Sequence, residues 1–337
     1  QWGYHPLIVS LANTGEPLFV VNRSGNRPSH EHAPFYFDQA IALCRRAGFR
    51  KIRLRGDTDF TQTAHLDRWD KQGVTFVFGI DATPKLYEIA GDLPPEAWKT
   101  LVRRQKYTVK TRPRRRPKNV KQQVVEQREF EDIRLVKEHV SEFRYRPAKC
   151  AKEYRVVVVW KELAVHKGQQ MLFDDERCFF YITNDWDKPA EEIVFDANDR
   201  CNQENLLQQL KSGVQSLSAP VDNLRSNWAY MVMGSLAWSL KAWFALMLPE
   251  PEENDDKHRR PRHASRAPAH REEKRKLLRM DFTTFCHAMM TIPAQVLSTG
   301  RRIVCRLLAW NPWQAVFFRL LDQLRKPLDR LPRPSRC

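Results

Sequence analysis

Arg200, Glu204 and Lys211 have the types and the spacing to handle a phosphate and a metal ion together. On an α-helix, offsets of four and eleven residues bring Glu204 and Lys211 within about 40° of Arg200, so all three project from one stripe. Leu206, Leu210 and Val214, with Phe195, fall to one side of it, and the helix can bury an apolar face while presenting charges at its margin. A carboxylate flanked by two cations suits metal-dependent phosphoryl transfer, with Glu204 on a divalent cation and Arg200 and Lys211 gripping phosphates. Alone, the same pattern also fits an ordinary solvated helix with charge pairs.

A second group lies in Arg55, Gly56, Asp57, Thr58, Asp59 and Phe60, at the end of a predicted strand, where ligands of open α/β sheets collect. Asp57, the first polar residue past the turn at Gly56, is the candidate metal ligand. Asp59 or Thr61 is expected to cap the helix that follows.

The elements that must position these groups are legible on both sides. β-branched runs at His5–Ala12 and Pro17–Asn22, joined by Asn13, Thr14 and Gly15, predict a hairpin. Helical spacing over Glu31–Ala47 ends at Gly48; Lys51–Arg55 alternates as a strand; Thr61–Lys71 predicts a helix, and Val74–Ile80 a strand buried on both faces. This order predicts an α/β fold, a mixed sheet flanked by helices, with the hairpin in the sheet. From Asp81 to Lys188 shorter strands predominate, such as Glu153–Trp160 and Arg177–Thr183, and read as a β-rich insertion. Helices are predicted over Ala190–Ser212 and Asn223–Leu248, followed by a charged linker from Pro249 to Arg275 and a helical C-terminal region.

Charge narrows the class of partner. The chain of 337 residues carries 57 Lys and Arg against 40 Asp and Glu, a surplus of +17 suited to a polyanion. The run at Thr111–Lys118, with Arg114, Arg115 and Arg116, and the cluster Lys257–Arg279 could follow DNA phosphates or serve as solvated linkers. Trp160 and Trp186 are candidates to stack on an unpaired base. Seven Cys residues show no zinc spacing and read as reduced thiols. His30 and His32 read as loop and helix-start residues. Trp228–Leu248 is apolar enough to raise a membrane span, but Lys241 near its middle would cost about 2.5 to 3.5 kcal/mol there, so a buried core helix is expected.

Together, RGDTDF at 55–60, the Arg200, Glu204, Lys211 spacing, and the segment DNLRSNWAYMVMGSLAWSLKAWFALMLP at 222–249 resemble the DDE transposases of DDE domain group 1, bacterial insertion-sequence enzymes. The resemblance runs from about Tyr4 to Pro249. It implies an RNase H-like core in two parts, 1–80 and 189–249, with the insertion at 81–188 between the second and third catalytic acids, and 250–337 as a basic linker and helical tail. It further implies three acids holding two Mg²⁺ (or Mn²⁺) ions, with Asp57 second and Glu204 third, and Arg200 and Lys211 on phosphates near the transposon end. Where the family carries a Tyr three residues before the Arg, this chain has Ala197. The first Asp belongs on an opening strand, which is expected upstream of Gln1. The activity implied is cleavage of transposon ends and their joining to target DNA, by a homodimer on paired ends, in the cytoplasm with the nucleoid and away from membranes. An RNase H-like nuclease without joining activity and a non-catalytic DNA-binding fragment are the rival readings.

Overall fold

Alternating apolar residues pair the first two strands, β1 (Leu7–Leu11) and β2 (Glu16–Val21), in the antiparallel register Leu7 to Val21, and Gly15 at φ 73° supplies the turn. In the computed structural model, residues 3–103, 123–124, 127–128, 131–167, 170–199, 201–249, 267–308 and 311–328 are described. The chain forms two compact units, one of Gln1–Arg27 with Cys201–Cys337, the other of Pro28–Arg200.

The unit of Pro28–Arg200 holds a six-stranded mixed sheet flanked by helices. Its elements run α1 (Ala33–Arg46), β3 (Arg53–Gly56), α2 (Leu66–Lys71), β4 (Thr75–Ile80), α3 (Pro84–Gly91), β5 (Lys99–Thr100), β6 (Glu131–Tyr145), β7 (Tyr154–Lys167), β8 (Gln170–Thr183) and α4 (Ala190–Asn198). The strand order is β3-β4-β8-β7-β6-β5; β3 and β4 are parallel and the other neighbours antiparallel. Side chains alternate along β4, so the sheet is covered on both faces. Phe76 and Phe78 meet Trp69 of α2 and Phe37 of α1, with the Phe37 and Trp69 rings 5.8 Å apart and those of Trp69 and Phe78 5.9 Å apart. On the other face Val77, Val140, Val157 and Val159 pack against Ile193, Val194 and Ala197 of α4. Each such buried side chain is worth about 1.5 to 3 kcal/mol of removed apolar surface.

The hairpin differs from expectation. It forms a two-stranded sheet of its own, and β4 pairs instead with β8, fixed by the buried Thr183 hydroxyl donating to the Phe76 carbonyl at 2.6 Å. The strands of the 81–188 stretch are also longer than predicted, and they continue the sheet of β3 and β4. Within them Glu138 is buried; the Arg103 fork reaches it at 2.5 and 2.8 Å and holds its carboxyl below the usual range against the opposing effect of burial, with help from Lys161.

The other unit is built on α6 (Leu224–Leu246), which follows α5 (Cys201–Gln208) and a π-helical turn at Gln209–Gly213. Asn223 caps α6, its Oδ1 accepting from the Ser226 amide at 2.8 Å. Indole N–H groups fasten α6 to the hairpin: Trp228 to the Val20 carbonyl at 2.6 Å, Trp238 to the Gly15 carbonyl at 2.8 Å, and Trp243 to the Glu16 carboxylate. Its C-terminal part packs with α7 (Ala267–Arg279), α8 (Phe282–Phe285) and α9 (Gln314–Leu328) through Ala245, Leu248, Leu277, Phe285, Val316 and Leu320. A hairpin of β9 (Ala294–Thr299) and β10 (Arg302–Leu307) stands between α8 and α9.

The expectation of a buried α6 holds on one face only. Met231, Ser235, Trp238, Ala242 and Ala245 are buried, whereas Met233, Leu236, Leu240 and Trp243 are exposed. Lys241 is buried, its ammonium donating to the carbonyls of Leu278, at 3.0 Å, and Met280, and lying 3.8 Å from the Trp238 ring. It thus ends α7 by satisfying carbonyls at the negative pole of that helix. Among the described residues no helix is long and apolar enough to cross a membrane. The six described cysteines form no disulfide with one another.

Candidate active site

Asp57 follows β3 at the carboxyl end of the parallel β3–β4 pair, level in register with Gly79. Two glycines permit the turn that presents it. A Cβ on Gly56 would stand 2.9 Å from the Phe60 Cβ, and one on Gly79 would stand 3.0 Å from both the Thr58 amide nitrogen and its Cγ2. The loop therefore lies directly on β4. Thr61 completes the clamp, its hydroxyl donating to the Gly79 carbonyl, and Phe60 N–H returns to the Asp57 carbonyl at 3.2 Å. The Asp57 carboxylate is half-buried, with Oδ1 shut off from solvent. Neither Asp59 nor Thr61 caps a helix: Asp59 is exposed within the 3₁₀ turn Thr58–Phe60, and no side chain caps that turn or the one after it. Thr61 serves β4 instead.

The strand leading to Asp57 is tied down by residues that sequence reasoning passed over. Arg53 forms ion pairs with Asp185 and Asp196, and Lys188 joins the same Asp196 carboxylate at 2.7 Å. Arg55 Nη1 donates to the main-chain carbonyl of Asp196 at 2.9 Å and lies 3.8 Å from Asp199. The alternation of Arg53 and Arg55 put both on one strand face, but nothing local indicated acids more than a hundred residues away.

Those contacts explain why the helix predicted over 190–212 is broken. In a continuous α-helix the Asp196 carbonyl would accept the N–H of residue 200; here Arg55 takes it, at Asn198 and Asp199, both weak helix formers. α4 stops at Asn198, and a separate helix, α5, begins at Cys201. Arg200 lies at this junction and outside the described residues, as do Arg114, Arg115 and Arg116. The single stripe of Arg200, Glu204 and Lys211 therefore does not exist as one regular helix.

Glu204 is in the first turn of α5 and exposed. Its helix is anchored by its neighbour Gln203, which donates to the Ile8 carbonyl at 3.3 Å and accepts from Ser10, and by Leu206 and Leu210 packing on Trp238. Lys211 is exposed in the π turn, where Val214 N–H reaches back to the Gln209 carbonyl at 2.9 Å. Gln209 holds that turn by donating to Asp281 at 2.8 Å and accepting from the Phe282 amide at 2.9 Å. π turns inside helices recur at functional sites.

The two tryptophans differ. Trp160 on β7 is half-buried and meets the Trp98 ring edge-on at 5.3 Å, its N–H buried without a hydrogen-bond partner among the described residues. Trp186 is 46% exposed, with the Arg144 guanidinium 4.7 Å from its ring centre, an aromatic surface that a base could cover.

Carboxylates are hard oxygen donors that suit Mg²⁺ or Mn²⁺, and Mg²⁺ keeps several waters when few protein ligands are present. Asp57 and Glu204 fit that chemistry by type. Among the described residues no group of three His, Cys, Asp or Glu side chains is arranged to hold a metal.

The match to known families agrees with this reading. The model of the transposase DDE domain group 1 family matches residues 1–259, more than half of the chain, and the protein belongs to that family. No curated protein matches it.

Proposed function

We propose that this chain is the catalytic part of an insertion-sequence transposase of RNase H-like fold, acting on double-stranded DNA at transposon ends and target, with Asp57 and Glu204 as metal-binding carboxylates. The observation that carries the reading is Asp57, pinned by Gly56, Gly79 and Thr61 at the carboxyl end of two parallel strands in a chain of the DDE transposase family. Bound Mg²⁺ or Mn²⁺ ions, two in the complete site, would supply Lewis acidity for attack of water, and then of a DNA 3′ hydroxyl, on phosphodiesters. This chain's residues hold and orient. Asp57 offers a preorganised oxygen, Glu204 offers a second on a helix fastened to β1, and Arg200, Lys211 and Arg114, Arg115 and Arg116 bind phosphates. Trp186 is the better placed of the two stacking candidates because its ring is exposed, with Trp160 second.

We also propose that the protein works as a homodimer. Ala229, Met233, Leu236, Leu240, Trp243 and Met247 recur at alternating intervals of four and three along α6 and its C-cap, and all are exposed. That interval is the seam of a helix pair. Acting in the cytoplasm on nucleoid DNA is part of the same reading.

The test is Glu204→Gln with DNA carrying the element's ends. The variant should keep its fold and its DNA binding and lose cleavage with either Mg²⁺ or Mn²⁺; undiminished cleavage would remove Glu204 from the site. Pre-cleaved ends supplied with target DNA should give joined products, and hydrolysis alone would mark a nuclease instead.

A further inference from the structure

The β9–β10 hairpin pairs with no other strand and lies beyond the residues matched by the family. An isolated two-stranded ribbon is marginal in water, so what steadies it is informative. Its base is held. Leu308 N–H donates to the Pro293 carbonyl at 3.1 Å, Asn311 donates to the Ala288 carbonyl at 2.9 Å, and the flanking segments enter one apolar cluster through Met289 and Val316. The blade is exposed along nearly its whole length.

Its register sorts the two faces. Arg302 stands opposite Thr299, Val304 opposite Leu297, and Arg306 opposite Gln295, which places these six on one face. Val296 and Ile303, 67% and 76% exposed, are on the other. Arg301 adjoins the turn at Gly300, φ 58°. From Phe282 to Leu321 the sequence contains no Asp or Glu. Arg319 in that stretch pairs with Glu273 at 2.5 Å, which leaves the three hairpin arginines without a carboxylate partner among the described residues.

We propose that this hairpin is a second duplex-DNA element, which lays its Arg302 and Arg306 face into a major groove. The proposal rests on the reading that the chain acts on DNA. The groove, about 12 Å wide, admits a two-stranded ribbon, and Arg and Gln are the side chains that pair bidentately with guanine and adenine edges. Arg302 and Arg306 are separated by about 14 Å along the strand, with the Leu297 and Val304 pair between them able to meet thymine methyls.

The experiment measures binding of the full chain to fluorescent duplex DNA over a salt series in EDTA, where nothing depends on Asp57 or Glu204. Arg302→Ala with Arg306→Ala should weaken binding at least tenfold and lower the slope of log affinity on log salt by about one to two, since each phosphate contact contributes about 0.9. DNA with 7-deazaguanine, which lacks the major-groove acceptor, should weaken the wild type and leave this variant indifferent. Val296→Thr with Ile303→Thr should bind like the wild type. The proposal is overturned by an arginine variant of native circular dichroism and thermal midpoint that binds with wild-type affinity and slope, by the loss appearing in the opposite-face variant instead, or by indifference of the wild type to 7-deazaguanine. Retained cleavage by Glu204→Gln would count against the catalytic reading and leave these binding results standing.

Discussion

Arg55 spans from the strand that ends at Asp57 to the last turn of α4, its Nη1 donating to the Asp196 carbonyl at 2.9 Å with Asp199 3.8 Å away. One side chain thus anchors the candidate metal-ligand strand and takes the carbonyl that would otherwise continue the helix. Arg55→Leu should destabilise the protein by about 1 to 3 kcal/mol, the cost of losing a charged hydrogen-bond donor to a part-buried acceptor. Amide exchange over 196–199 should change with it. Arg55→Lys should not restore the wild-type value, because an ammonium cannot present a planar fork to two acceptors. Urea denaturation of the three proteins decides, and a lysine variant as stable as the wild type would show that charge alone is what matters.

Gly79 is the tighter of the two glycine constraints on the Asp57 loop, because the atoms a Cβ would meet include the Thr58 backbone nitrogen at 3.0 Å. Backbone cannot rotate aside as a flexible side chain can. Gly79→Ala should push the 57–58 loop off β4, lower stability by about 1 to 3 kcal/mol and cut DNA cleavage much more than it cuts DNA binding. Cleavage at the wild-type rate would mean that the loop tolerates the displacement and that Asp57 need not be held there.

The elements near Asp57 were legible because each was signalled locally: alternation in β3, a continuous apolar run in β4, Gly48 after α1. What could not be read was set by distant partners. Asp196 and Asp199 look like ordinary members of an amphipathic helix until Arg55 reaches them from more than a hundred residues upstream. Gln209 reads as a surface residue until Asp281 and Phe282 recruit it into a π turn. The pairing of β4 with β8 likewise depends on Thr183 and Phe76, which no window of neighbouring residues contains. Asp57 was found from its place after a strand and a glycine, whereas the stripe built on Arg200 assumed a helical regularity that the fold interrupts.

Lys241 gives a pH signature with a definite sign. Burial pushes its ammonium down to about 8, against the opposing pull of Asp281, while an unfolded chain would hold the proton until about 10.4. Between those values the unfolded state binds more protons than the folded one, so this residue makes stability rise with pH across the window, by about 3 kcal/mol at most. Below pH 8 both states are protonated and the contribution is flat. Lys241→Met should abolish the rise, so the difference in stability between wild type and variant should grow from pH 8 to 10. Parallel curves over that range would show that the ammonium is not held at the α7 terminus as a buried charge.

The exposed stripe on α6 should decide the oligomeric state. Apolar patches beyond a few hundred Å² seldom remain open on monomers, and the part-exposed residues from Leu224 to Met247 offer roughly 600 to 800 Å² per copy, the size of a standard interface. The chain's segments at 104–122, 250–266 and 329–337 are rich in charge and proline, and none has a run of large apolar residues to cover it. A second copy supplies the same stripe at the same interval, which makes the seam self-complementary. Leu236→Glu with Leu240→Glu faces solvent in the monomer and so should leave the fold intact while lowering the mass measured by light scattering from twice the chain mass to one. A wild type that stays monomeric at every concentration, or a charged variant that remains dimeric, would assign the stripe to a different partner.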